Sequence, residues 1–182
     1  MSRGRRRPFA GEPLELEAAP LSARAFAPFG EVIEAGADGY PINDGAALRR
    51  DLRSPPDVAA EGGTLRLGVV RTRARSLPLL VRLLERHPLG SQAFVPMTAR
   101  SFLVVVAAGG DPPRGADLSA FVAGPGQGVS YRRGVWHHPL TALGGVGPGG
   151  AADFLVLDRA GPGENLEELE LERVVLVRAP SG

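Results

Sequence analysis

The sequence predicts an all-β protein, a sandwich or barrel of many short strands with a few short helices. Three observations carry this reading. First, 25 glycines and 17 prolines punctuate the chain throughout instead of gathering in one linker, which marks many turns between many strands. Second, residues 14–18 and the start of 64–71 alternate apolar and polar side chains, the period of a half-buried strand. Third, the remaining apolar runs are rich in Val and Phe and are of strand length, which suits a pleated, packed surface.

The elements follow in order. Residues 14–18 read as a strand. In residues 22–29, Ser22 caps a short helix and Pro28 limits it. Residues 64–71 form the next strand. Residues 79–85 hold a run of leucines around Arg82, and periodicity leaves helix and strand both open. Residues 91–97 and 101–107 read as two strands around a tight connection. Strands at 118–123, 129–131, 140–143, 153–157 and 171–177 complete the set. Residues 112–115 and 144–150 read as loops, the second with five glycines in seven positions; such an exposed insertion costs little closure entropy. The acidic stretch 164–172 is expected to be a solvated face. Residues 1–12, with Arg at 3, 5, 6 and 7, are expected to form a disordered basic tail. Residues 13–182 are then one domain, a size that buries a sizeable core.

Composition excludes several chemistries. There are 21 basic residues, all arginine, against 20 acidic ones, for a net charge of +1; this balance argues against a general polyanion binder. Without lysine there is no Schiff-base catalysis. Without cysteine there are no disulfides, zinc–thiolate sites or thiol nucleophiles. No apolar run approaches a membrane span, and no apolar core follows the N-terminal arginines as a secretory signal requires. Cytoplasm is the expected location.

All three histidines lie in two short proline-stopped patches, one of which holds the only tryptophan. Imidazole is the side chain suited to moving protons near neutral pH. In the first patch Glu85 and His87 are two apart, so on a strand they share a face. A turn at Pro88, Leu89 and Gly90 returns the chain and lets Gln92 face both. A carboxylate, an imidazole and an amide so placed can bind a divalent metal or a polar substrate; a turn-capping histidine satisfied by backbone is the structural counterpart. In the second patch His137 and His138 point to opposite faces, so only one enters a given pocket. The glycine-rich turn at 124–128 just before it allows close backbone approach. Trp136 is expected to pack at the core or rim. Arg71, at a strand end, could clamp a carboxylate through two parallel N–H bonds or be a plain surface arginine. Asn43, Asp44 and Gly45 read as a turn. Asp153 and Asp158-Arg159 could orient the histidines or pair with each other. The Gly124-x-Gly126-x-Gly128 run lacks the context of a phosphate loop.

At Glu85–Met97 (ERHPLGSQAFVPM), Gly126–Leu140 (GQGVSYRRGVWHHPL) and Asp153–Arg159 (DFLVLDR) the chain resembles the ureidoglycolate lyase family. Weaker agreement comes from residues 20–34, from Asn43-Asp44-Gly45 and from Arg71. The order and spacing agree from about Leu14 to the C-terminus. The resemblance implies a cupin-like β-barrel or jelly roll, a homodimer, and elimination of urea from (S)-ureidoglycolate to give glyoxylate in allantoin and purine nitrogen catabolism. Cupins carry a His-x-His-x4-Glu motif and a later histidine as metal ligands; the equivalent positions here read Glu85, His87, Gln92 and His137. A divalent metal, nickel by the family association, is expected there only as an option. After Asn-Asp-Gly the family pattern runs Arg-Phe-His-Asp-Leu, and here it reads Leu48-Arg49-Arg50-Asp51-Leu52, without the histidine. On this resemblance His87 or His137 is the catalytic base and Gln92 binds the ureido group. Arg71 holds the carboxylate with Arg132 in reserve, Asn43 and Asp44 close one end, and Trp136 and Asp153 complete the substrate set. The alternatives are an amidohydrolase releasing ammonia and CO2, or a non-catalytic cupin that binds a small carboxylate.

Overall fold

In the computed structural model the described residues are 11–36, 38–109, 111–144 and 150–180. Most of the expected basic tail and the centre of the 144–150 loop lie outside them. The elements are almost all strands: β1 (Leu14–Glu17), β2 (Ala19–Pro20), β3 (Gly30–Ile33), β4 (Tyr40–Ile42), β5 (Ala47–Arg49), β6 (Thr64–Arg73), β7 (Leu79–Arg86), β8 (Gln92–Pro96), β9 (Phe102–Ala107), β10 (Leu118–Ala123), β11 (Gly128–Tyr131), β12 (Thr141–Ala142), β13 (Ala151–Ala160) and β14 (Glu167–Arg178). A single-turn helix α1 (Ala23–Phe26) precedes β3, capped as its sequence predicts by the Ser22 hydroxyl, which accepts from the Ala25 N–H. The leucine run at 79–85 resolves as a strand. β14 begins four residues before the strand read from sequence, and the β4–β5 hairpin was not read as strands.

The strands do not close into one barrel. They form a five-stranded sheet in the order β3-β11-β8-β13-β6, a four-stranded sheet β12-β9-β10-β2, a three-stranded sheet β1-β14-β7, and the small β4–β5 hairpin. A stretch around His137 stitches the second and third together. Glu85 and His137 exchange both backbone hydrogen bonds at 2.7 and 2.8 Å, while Trp136 accepts from Ala107 at 3.0 Å and His138 donates to Val105 at 2.9 Å.

β9 shows why two cores form. Phe102, Val104 and Val106 pack into one buried cluster with Phe94, Val129, Phe154 and Val156 of the five-stranded sheet. Leu103 and Val105, pointing the other way, pack into a second cluster with Val81, Leu84, Trp136 and Val175. A strand buried on both faces reads as an unbroken apolar run, and residues 102–106 are one. In the first core Phe102 and Phe154 meet edge to face at 5.2 Å, a favoured quadrupole geometry.

β6 behaves differently. It is the edge of the five-stranded sheet, and its alternating Leu65, Leu67 and Val69 are 44–62% exposed. Its opposite face carries Arg66, Gly68 and Val70. Val70 is 42% exposed as well, so both faces of this strand are open, the apolar one included.

A candidate active site at the end of two strands

Glu85 and His87 lie at the end of β7, on one face by the strand period. The turn at 88–91 brings the chain back so that β8 starts at Gln92, and the bridge described above fixes His137 beside Glu85. His137 Nε2 lies 3.2 Å from Gln92 Oε1 and 3.4 Å from Glu85 Oε1. The His87 and His137 rings are 5.5 Å apart between centroids. One ligand atom from each of Glu85, His87 and His137 falls within 4.8 Å of the others.

Both histidines are held from behind. His87 Nδ1 pairs with the Asn165 carbonyl at 2.7 Å, and His137 Nδ1 with the Val135 carbonyl at 2.9 Å. A carbonyl can only accept, so each Nδ1–H donates to it, which turns each Nε2 toward the cluster. His87 Nε2 is buried and has no partner. His137 Nε2 faces the oxygens of Glu85 and Gln92, both acceptors, so a proton on Nε2 or a cation between them completes the contact. The Asn165 side chain also accepts from the Leu89 N–H at 2.8 Å, which locks the turn that carries His87. Tyr131 lies under His137, its ring stacked at 4.3 Å and 12°. Burial, with the Glu85 charge added, holds the Tyr131 phenol un-ionised. Burial raises Glu85, but its hydrogen bond to His137 and the charges of the three histidines outweigh this and leave it below the usual carboxylate range.

The cluster opens into a cleft of about 440 Å³ lined by Glu85, His87 and Gln92 on one side and by Arg66, Asp158, Arg159, Glu164, Asn165 and Leu166 on the other. Strand register explains the far side. Tyr131 pairs with Gln92, Ala93 pairs with Leu157, and Asp158 pairs with Arg66. Tyr131, Gln92, Asp158 and Arg66 thus form one row across four strands, on the face that also presents Phe154 and Val156 to the core.

Of the residues expected from sequence, Glu85, His87, Gln92 and His137 come together. The others do not join them. Arg71 grips Asp153 through two bonds of 2.7 and 2.8 Å. Asp153 is five positions from Asp158 on the same strand, so this pair sits on the opposite face and roughly 17 Å along the sheet. Asn43 and Asp44, both at φ 53°, form with Gly45 the turn of the exposed β4–β5 hairpin. Arg132 donates to the Pro28 carbonyl at 2.9 Å and lines a separate pocket of about 220 Å³. Trp136 is buried in the second core with the Arg86 guanidinium 4.5 Å above its ring. Sequence reasoning missed Tyr131, Asn165 and Arg66. Tyr131 lay within a quoted motif, and its place beside Gln92 is a register fact. Asn165 acts partly through its main chain, which leaves no side-chain signature.

Residues 13–178 match the family described as Ureidoglycolate lyase. A ureidoglycolate lyase of Burkholderia mallei (strain NCTC 10229) is 52% identical over 153 residues, covering 84% of this chain and 86% of the relative. One from Rhizobium etli (strain CIAT 652) is 47% identical over 169 residues, covering 91% and 97%. One from Pseudomonas fluorescens is 44% identical over 161 residues, covering 86% and 93%. Matches of this extent show that the chain belongs to the ureidoglycolate lyase family.

Proposed function

We propose that this protein is a ureidoglycolate lyase that eliminates urea from (S)-ureidoglycolate and releases glyoxylate. The observation that carries the reading is the convergence of Glu85, His87 and His137 within 4.8 Å, each histidine with Nδ1 tied to a main-chain carbonyl, behind a cleft that Glu85, His87 and Gln92 line. Ureidoglycolate is a carbinolamide, and its cleavage needs no attacking water and no covalent nucleophile. His87 Nε2 takes the hydroxyl proton. The O–H electrons become the second bond of the new carbonyl, the carbon–nitrogen bond breaks, and the proton held between His137 Nε2 and Glu85 passes to the departing nitrogen. One proton is taken and one is given, so the sum is substrate to glyoxylate and urea. Gln92 holds the ureido group. General acid–base help of this kind is worth about 10²–10⁴-fold.

Glu85, His87 and His137, with Gln92 beside them, also fit a divalent cation. The donor set is imidazole and carboxylate, His87 Nε2 is buried without a partner, and backbone carbonyls fix both rings for Nε2 ligation. Nickel is the family's association. A cation bound there would polarise the substrate hydroxyl and lower its pKa.

The protein is further proposed to be a cytoplasmic homodimer. The exposed apolar row Leu65, Leu67 and Val69 on an edge strand supports a partner copy on that face. Among the described residues no helix is long and apolar enough to cross a membrane.

The deciding experiment gives purified protein racemic ureidoglycolate and quantifies glyoxylate, urea and ammonia, with and without chelator. Equimolar glyoxylate and urea, with half of the racemate consumed, is the expected result. Ammonia in place of urea would establish a hydrolase, and binding without turnover a carrier.

A further inference from the structure

We infer that Arg66 is the carboxylate receptor of this cleft, with Asp158 as its positioning residue; the assignment rests on the reading of the cleft as a site for a small hydroxy acid. β6 and β13 carry two arginine–aspartate pairs of nearly the same geometry. Arg66 reaches Asp158 at 2.8 and 2.7 Å, and Arg71 reaches Asp153 at 2.7 and 2.8 Å. The pairs are five residues apart on each strand, so they occupy opposite faces of the sheet. Asp158 shares its face with Phe154 and Val156, which are 0% and 6% exposed in the core. That face turns Arg66 into the cleft with Glu85, His87 and Gln92.

The pairing leaves Arg66 with capacity to spare. A guanidinium has five N–H donors, and Asp158 takes one from Nε and one from Nη2. Nη1 is unused in both its donors. The Asp158 side chain is 17% exposed while that of Arg66 is 61% exposed. The aspartate is thus the fixed partner and the fork the accessible one. Beside the fork there is room: Gly68, two residues on and on the same face, would place a Cβ with nothing within 4 Å.

The electrostatics require such a group. Glu85, Asp158 and Glu164 line the cleft, and an incoming carboxylate needs a cation to offset them. Arg159 also lines it, but its residue is 4% exposed and its Nε and Nη2 are taken by the Ala60 and Pro162 carbonyls. Its odd offset from Phe154 also places it on the other face. Among the described residues that line the cleft, Arg66 is the one exposed guanidinium. Its strand lies two strand spacings from Gln92, roughly 10 Å. An arginine reaching inward leaves space for a short acid with its carboxylate on the fork and its second carbon near the histidines. Two N–H bonds to a carboxylate are among the stronger and more directional contacts a side chain makes.

The test compares R66M with R71M, the same pair on the opposite face. Oxalate binding is measured by calorimetry, and KM and kcat are measured on ureidoglycolate. R66M is expected to raise the oxalate Kd and the KM by about tenfold or more, with kcat within about threefold of wild type. Lysine at position 66 should recover part of the loss. D158N, which frees the fork, should raise KM by less than R66M does. R71M should match wild type, and binding of the uncharged oxamide should not distinguish any of them. Wild-type affinity for oxalate in R66M, or an equal loss in R71M, would overturn the assignment. A wild type that binds oxalate but does not cleave ureidoglycolate would refute the proposed reaction, and the two Kd values would still decide the role of Arg66.

Discussion

Replacing His137 by Asn separates chemistry from folding, because the structure allows both costs to be sized. The residue is 1% exposed, its ring stacks on Tyr131, and its Nδ1 pairs with the Val135 carbonyl. An asparagine amide N–H reaches about where Nδ1–H was, so that bond survives. The main-chain pairing with Glu85 does not depend on the side chain. What is lost structurally is the ring contact, worth about 0.5–1.5 kcal/mol, and some packing volume, about as much again. Against a domain stability of about 5–15 kcal/mol, a loss of roughly 1–3 kcal/mol leaves nearly all molecules folded. Chemically, Nε2 disappears. Removing the proton donor of the elimination should cost about 10²–10⁴-fold in kcat, or about 2.7–5.4 kcal/mol on the barrier. The assay is a continuous glyoxylate measurement at saturating ureidoglycolate, with the melting temperature taken on the same preparation. A folded H137N protein that turns over within threefold of wild type would remove His137 from the mechanism.

Three further outcomes are expected. E85Q keeps the shape of the cluster but not its charge, and calorimetry should show nickel binding weakened by about tenfold or more; unchanged affinity would place any cation elsewhere. In the double variant L67R/V69R, two charges enter the exposed row of β6, and light scattering should show the proposed dimer replaced by monomer; a wild type that is monomeric refutes the dimer, and a dimer that persists in the variant moves the interface off that strand. His138 is held below the ordinary imidazole value of 6.5, first by burial and further by the charges of His137 and Arg75, against the pull of the Leu83 carbonyl and Glu85. Below that pH the unfolded chain binds a proton that the folded one refuses, so stability falls as the pH drops from about 6.5. The melting temperature of H138Q should therefore decline less than that of wild type between pH 7 and 5; parallel declines would refute the assignment.

The cluster itself was legible in the chain. Glu85 and His87 are two apart, the turn residues follow, and Gln92 comes next, so strand periodicity and turn chemistry suffice to draw them together. The pairing of His137 with this group needed the resemblance, because nothing local says that two segments fifty residues apart share a rung. Arg71 shows where parity misleads. Residues 64–71 alternate with Leu65, Leu67 and Val69 on one face, and an apolar face ordinarily turns inward. On this edge strand it stays exposed, and the arginine on the cleft side is Arg66. A pattern of period two fixes which residues share a face but not which face is covered; that depends on neighbours the pattern does not name. The second core at Trp136 was hidden for a related reason, since a strand packed on both sides gives no alternation to read. The all-β, cupin-like reading agrees with the strands found; that they do not close into one barrel was not legible, because pairing order between distant strands has no local signature.

The rung between Glu85 and His137 has one more consequence. Main-chain amides in such a rung exchange with solvent only when the strands holding it come apart, and here those strands belong to two separate sheets. Deuterium uptake at His137 should accordingly be as slow as at the most protected positions of β9. The Glu85–His137 pair then cannot breathe independently of the scaffold, and whatever motion admits a ligand falls to the turn and loop carrying Leu89 and Asn165.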